Sequence, residues 1–247
     1  MESKLGVEIL PQPDDITCGP TCLHAVYHYY GDRIGLERVI EEVPTLEGGG
    51  TLGVLLGSHA LARGYRARLY TFNLRVFDPT WFGPGAPDLA ERLAERLKAA
   101  RDPKQRLAAR AYLRFLRRGG EIVFEDLTAA LIRSLLIRGL PILTGLSATY
   151  LYRTPRERDD ENGRIIYDDV RGEPSGHFVV ISGYHREARV ARIADPFLPN
   201  PMSEGQYYDV PLNRLICAIM LGVLTYDANM LVIFPRRIKT KKHKSRR

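Results

Sequence analysis

The stretch Gln12-Pro13-Asp14-Asp15-Ile16-Thr17-Cys18-Gly19-Pro20-Thr21-Cys22 sets a glutamine six residues before a cysteine, and that cysteine opens an apolar helical run from Leu23 to Tyr30. Thr17 is placed as the N-cap of this helix. Pro20 falls in its first turn, where a missing N–H leaves no bond unmade. A thiol at a helix N-terminus feels the positive end of the macrodipole, which favours the thiolate, the nucleophilic form. A glutamine held beside it can donate an amide N–H to a developing oxyanion. Cys18 is therefore the candidate nucleophile and Gln12 the candidate oxyanion donor.

A nucleophile needs a base, and the base needs a group to orient it. Gly176-His177-Phe178-Val179-Val180-Ile181-Ser182-Gly183-Tyr184 reads as a strand that begins at His177. Arg189 to Ala194 reads as its antiparallel partner, turned around His185-Arg186-Glu187-Ala188. The hairpin returns Asp195 to the open end where His177 starts. An aspartate there accepts an imidazole N–H, fixes the tautomer and holds the other ring nitrogen toward a thiol. Pro196 cannot continue a ladder and ends the strand.

The remaining sequence alternates helix and strand signals. Leu36 to Glu42 reads as a short helix before Pro44, and Leu52 to Arg63 as a third helix capped by Thr51 and stopped by Gly64. Arg66 to Phe72 alternates like a strand. Asp88 to Ala100 and Pro103 to Arg118 form an Arg-, Leu- and Ala-rich helical hairpin, within a segment from about 81 to 120 that is inserted into the main domain or decorates it. Phe124 to Arg138 reads as an amphipathic helix, and Pro141 to Gly145 as a buried strand entering a loop at Ser147. Arg153 to Gly176 is a charged surface excursion with a hairpin at Asn162-Gly163. Gln206 to Val210, a helix from Leu212 to about Gly222, and Met230 to Phe234 complete one domain over residues 1–235.

Composition narrows the classes. With 247 residues, 45% of them hydrophobic, the chain can bury one large core. No apolar run reaches the ~18 residues of a membrane span, and the polar start Met1-Glu2-Ser3-Lys4 has no signal-peptide character. A cytoplasmic protein without membrane insertion is expected. The net charge of +7 resides in the tail 236–247, whose eight basic residues exceed the whole excess. The body is then close to neutral, so nucleic-acid binding by the whole chain has no warrant, and the tail reads as a disordered, solubilising end.

Three cysteines argue against a disulfide framework. Cys22, one turn after Cys18, and Cys217, inside Leu215 to Leu221, read as core packing. A metal site using Cys18, Cys22, His24 or His28 lacks a second ligand cluster with zinc-like spacing, and no cofactor is called for. His59 and His185 read as ordinary packing or surface residues. Gly48-Gly49-Gly50 before a helix lacks the Lys-Ser/Thr of a phosphate loop and reads as a substrate-facing loop or hinge. Gly49, Gly50, Ser147 and Gly176 are expected to line a substrate cleft.

Gln12 with Cys18-Gly19-Pro20-Thr21-Cys22-Leu23 and Tyr29-Tyr30-Gly31 resembles the N-terminal motif of papain-fold cysteine peptidases, most closely the bacterial family thirty-nine type that includes the bacteriocin-leader, double-glycine peptidases. Gly176-His177-Phe178-Val179-Val180 and Ala194-Asp195-Pro196 are similar to that family's His and Asp motifs. The resemblance implies an α+β papain-like fold from about Gly6 to Phe234. A helical N-terminal half would carry Cys18, an antiparallel β-sheet C-terminal half would carry His177 and Asp195, and a cleft would lie between them. It implies Cys18 as nucleophile, His177 as general base and acid, Asp195 as orienter and Gln12 as oxyanion donor in hydrolysis of a peptide or protein substrate. Thr17 stands where the family has an acidic residue, the segment from Trp81 to Gly120 is extra, and the transporter joined to the leader peptidases is missing. An acyl or aminoacyl transferase using the same thioester, or a catalytically idle peptide-binding module, are the alternatives.

Overall fold

The computed structural model describes residues 2–47, 49–225 and 227–235. Strand β1 (Glu2–Lys4) is followed by helices α1 (Cys18–Tyr29), α2 (Leu36–Glu42) and α3 (Gly53–Ala62), then strand β2 (Arg66–Thr71). Helices α4 (Leu89–Ala99) and α5 (Pro103–Arg117) lead to strand β3 (Glu121–Val123) and helix α6 (Ala129–Ile137). Strand β4 (Ile142–Ser147) runs into helix α7 (Ala148–Tyr152), and strands β5 (Glu157–Asp159) and β6 (Ile165–Tyr167) form a small hairpin. Strands β7 (Gly176–His185), β8 (Val190–Ala194) and β9 (Tyr207–Pro211), helix α8 (Leu212–Leu221) and strand β10 (Asn229–Phe234) close the fold. The basic tail from Arg236 to Arg247 lies outside the described residues.

The helix boundaries follow local chemistry. Asp88 caps α4 by accepting from Glu91 N, and Asp102 caps α5 by accepting from Lys104 N, with Pro103 in the first turn. Thr128 caps α6 through Leu131 N, so this helix starts later than the expected Phe124. Phe124 to Thr128 form neither helix nor strand, and β3 just ahead of them runs parallel to β2. Thr17 and Thr51 do not cap with their side chains. Thr17 donates its hydroxyl to Asp14 O, and Thr51 donates to Pro44 O and closes the loop ahead of α3.

Among the described residues one sheet has the order β3-β2-β10-β4-β7-β8-β9, with β1 paired to the far end of β7. Every pairing in it is antiparallel except β2 with β3. The fold is mixed α/β with a mostly antiparallel sheet. Successive strand residues point to opposite faces. Leu231 and Ile233 join a core with α1, α3 and α5, whereas Met230 and Val232 join a second core with α6 and α8. Burial on both faces explains why Phe178 to Ile181 reads as an unbroken apolar run.

The helical hairpin of α4 and α5 belongs to the first core. Tyr112 and Phe115 of α5 are buried, and the Phe115 ring lies where a side chain on Gly57 or Gly120 would project, 2.8 Å from the Cβ position of Gly57. The hairpin is therefore part of the body and not a surface decoration. Cys217, expected in the core, is exposed. The buried stripe of α8 is Leu212, Leu215, Ala218 and Ile219, and Cys217 falls on its outer side.

Candidate active site

Cys18 is the first residue of α1 and is 8% exposed. The helix starts hard against β7 and the loop before α3. A Cβ on Gly19 would lie 2.7 Å from Thr51 Cγ2 and 3.2 Å from the Phe178 ring, so only glycine follows the cysteine without displacing them. Thr21 donates to Thr17 O at 2.8 Å, and Cys22 donates its thiol to Phe178 O at 3.2 Å, tying α1 to the start of β7. Burial, with the nearby Cys18 and Asp195, pushes the Cys22 thiol well above its ordinary range. Cys22 is therefore a packed neutral thiol.

His177 and Asp195 meet through strand register. Val180 faces Ala194, so one further step sets Asp195 opposite Val179 and diagonal to His177 on the same face. His177 Nε2 lies 2.8 Å from Asp195 Oδ1. Cys18 lies close enough for its charge to act on the same imidazole, and Nδ1 is the ring nitrogen that Asp195 leaves unused. Burial alone would lower the His177 pKa, but the charges of Asp195 and Cys18 overturn that and push it up to about 10. The Asp195 side chain is 0% exposed. Burial alone would raise its carboxyl, but the charge and hydrogen bond of His177, the Tyr208 hydroxyl and Phe197 N hold it below the ordinary carboxylate range.

Gln12 arrives from the opposite side of the sequence. Its backbone N donates to Pro196 O at 2.9 Å, which fastens the loop before α1 to the residue after Asp195. One N–H of its side-chain amide donates to Asp14 O at 2.8 Å, and Oε1 is buried without a partner. An amide nitrogen carries two N–H groups, so one donor is left over. Asp14 shapes the turn by accepting Ile16 N on Oδ1.

The expected cleft residues divide into two groups. Gly49 and Gly50 have φ of +90° and +72°, and a Cβ on Gly49 would meet Ile16 Cγ2 at 2.6 Å. This turn packs against the loop that carries Gln12 into Cys18. Gly48 lies outside the described residues. Ser147 is buried and its hydroxyl accepts Tyr150 N at 3.3 Å, so it caps α7. It also borders a groove of about 460 Å³ with Thr149, Tyr150, Arg153, Leu221 and Leu224. Gly176 pairs with Ser147, one step from the pair of His177 with Leu146, and lies under Thr225, 2.7 Å from its Cβ position.

Sequence reasoning reaches Tyr152 only as a cleft neighbour of Ser147, and misses both Tyr152 and Tyr208 as partners of Asp195. Their hydroxyls donate to Asp195 Oδ2 at 2.8 and 2.7 Å. Burial, and then the Asp195 charge, raises both phenols far above their ordinary range. The alternating run at Tyr207 to Val210 signals a strand beside Asp195 and was the one available clue to Tyr208. His59 is buried between the Tyr27 hydroxyl at 2.8 Å and Glu42 at 3.0 Å, a packing role, and His185 accepts Ala188 N in the β7–β8 turn. Among the described residues no three His, Cys, Asp or Glu side chains are grouped to hold a metal ion, and no helix is long and apolar enough to cross a membrane.

No family model and no curated protein matches this chain. Among solved structures, it is similar to a C39-like peptidase from Bacillus anthracis, with a TM-score of 0.48 and 14% identity over 96% of this chain and 98% of that one. A double glycine motif protease from an AMS/PCAT transporter, in complex with the leader peptide, matches with a TM-score of 0.45 and 14% identity over 94% of each chain. Xylellain, a cysteine protease from Xylella fastidiosa, matches with a TM-score of 0.43 and 16% identity over 96% of this chain and 86% of that one. Each of the three is a peptidase by name, and each aligns with nearly the whole of this chain.

Proposed function

We propose that this protein is a cysteine-dependent amide hydrolase that cleaves a peptide through a thioester on Cys18. The observation that carries this reading is the 2.8 Å bond between His177 Nε2 and Asp195 Oδ1, with the Cys18 charge acting on the same imidazole. The chemistry follows from those contacts. His177 Nδ1 takes the thiol proton and forms an imidazolium, which buried Asp195 stabilises without accepting the proton. The Cys18 thiolate attacks the carbonyl carbon. The oxyanion is held by the second N–H of the Gln12 amide and by the Cys18 backbone N–H, which as the first of the helix has no partner in the helical ladder. His177 returns its proton to the leaving amine, and water releases the acyl group with His177 as base.

The test is digestion of a mixed peptide library with cleavage read by mass spectrometry. New termini are expected with the wild type and none with Cys18→Ala. Equal cleavage by the two proteins would overturn the reading.

A further inference from the structure

Asp195 is supplied with donors on both oxygens. Oδ1 accepts from His177 Nε2 at 2.8 Å and from Phe197 N at 3.0 Å. Oδ2 accepts from Tyr152 Oη at 2.8 Å and Tyr208 Oη at 2.7 Å. An ionised carboxylate only accepts, so both phenols must donate. An uncompensated carboxylate with no solvent exposure would take up a proton, and these donors oppose that. With Oδ2 occupied by two O–H groups, the carboxylate presents Oδ1 to the imidazole as an acceptor. His177 Nε2 must then carry hydrogen, and Nδ1 is left for Cys18. Tyr152 also packs beside the imidazole, with ring centroids 6.0 Å apart, and Phe197 lies 6.1 Å from the imidazole and 6.3 Å from Tyr152. The hydroxyls come from two separate elements, the last residue of α7 and the second residue of β9.

We propose that Tyr152 and Tyr208 are positioning residues that act through Asp195 to keep it ionised, aim Oδ1 at His177 and fix the tautomer that faces Cys18. This rests on the Cys18–His177–Asp195 reading above. The phenols do not take part in proton transfer themselves.

The test uses iodoacetamide, which reports the thiolate without a known substrate, on full-length protein carrying Cys217→Ser to remove the exposed thiol. Tyr152→Phe with Tyr208→Phe should slow labelling of Cys18 at pH 7 by roughly 10-fold, the order expected for losing hydrogen bonds to a charged group. The acid limb of the labelling profile should move to higher pH, because a carboxylate short of two donors takes its proton sooner. In an Asp195→Asn background the same two changes should alter the rate by less than about 2-fold, since residues that act through one partner are not additive. A purely structural role would slow both backgrounds alike. Labelling of the tyrosine variants at the wild-type rate, or equal slowing in both backgrounds, overturns the proposal while the Cys–His reading stands. Wild-type labelling no faster than that of His177→Ala overturns the Cys–His reading and this proposal with it.

Discussion

Gln12 is fastened to the Asp195 segment through its backbone, by the 2.9 Å bond from its N to Pro196 O, and not through its side chain. The loop that delivers Cys18 and the strand end that delivers Asp195 are thereby held together with no contribution from the amide. Gln12→Ala therefore removes the amide and leaves the tether. It is expected to lower kcat about 10²–10³-fold, the range for loss of one oxyanion donor, with little change in the urea midpoint. Wild-type kcat in this variant would remove Gln12 from the oxyanion site.

The cysteines separate by environment. Cys18→Ala should abolish turnover, whereas Cys22→Ala and Cys217→Ala should retain it. Cys22 is fully buried with its thiol on Phe178 O, so its loss should cost about 1 kcal/mol of stability, within the usual range for a point change. Cys217 is exposed and should cost almost nothing. Mass-spectrometric counting of fast thiol modification should find Cys217 and Cys18 but not Cys22. Rapid modification of Cys22 in the folded protein would contradict this assignment.

Asp195→Asn should leave the fold in place and reduce kcat by roughly 10²–10⁴-fold, because the amide favours the wrong imidazole tautomer. The sign of the pH effect follows from the raised His177 pKa. Stability from its protonated form is complete below the unfolded histidine value of about 6.5 and is lost as pH rises toward about 10. Asp195→Asn should therefore lower the His177 midpoint in an NMR titration and bring this loss to lower pH. An unchanged His177 midpoint would assign the imidazolium's stability to another group.

Asp227 is a buried carboxyl outside the catalytic set. Its Oδ1 accepts Gly53 N at the start of α3 and Asn229 Nδ2, each at 2.9 Å. Burial outweighs both bonds and raises its pKa to about 7, against about 3.9 in the unfolded chain. Between those values the folded state binds more protons than the unfolded state, so this group makes stability fall as pH rises. Asp227→Asn keeps an accepting oxygen and removes the charge. Urea unfolding should show the variant gaining on the wild type from pH 4 to pH 8, with little difference at the acid end. A gap that narrows as pH rises would contradict the raised pKa.

The parts legible in the sequence were those with local causes. The start of α1 at Cys18, the helical hairpin of α4 and α5, and the β7–β8 hairpin that brings Asp195 back to His177 all rest on neighbours a few residues apart or on a simple register. The three-residue strand β3 was hidden because pairing with β2 decides it and its sequence is too short to show a period. Ser147 reads as a loop residue in the sequence, since the cap it gives α7 depends on a single turn. Cys217 sits in an almost wholly apolar stretch, and only the packing of α8 shows which side faces out. Tyr152 and Tyr208 lie 43 and 13 residues from Asp195, and no local signal marks a phenol as the partner of a distant carboxylate.

A transient thioester on Cys18 is tested most directly by acid-quench mass spectrometry during turnover of a p-nitrophenyl ester. One acyl group per chain is expected on the peptide containing Cys18. It should form before steady state, disappear when the ester is exhausted, form more slowly in His177→Ala and be absent from Cys18→Ala. Release of p-nitrophenol at the wild-type rate by Cys18→Ala, or acyl groups found on Cys217 alone, would contradict it.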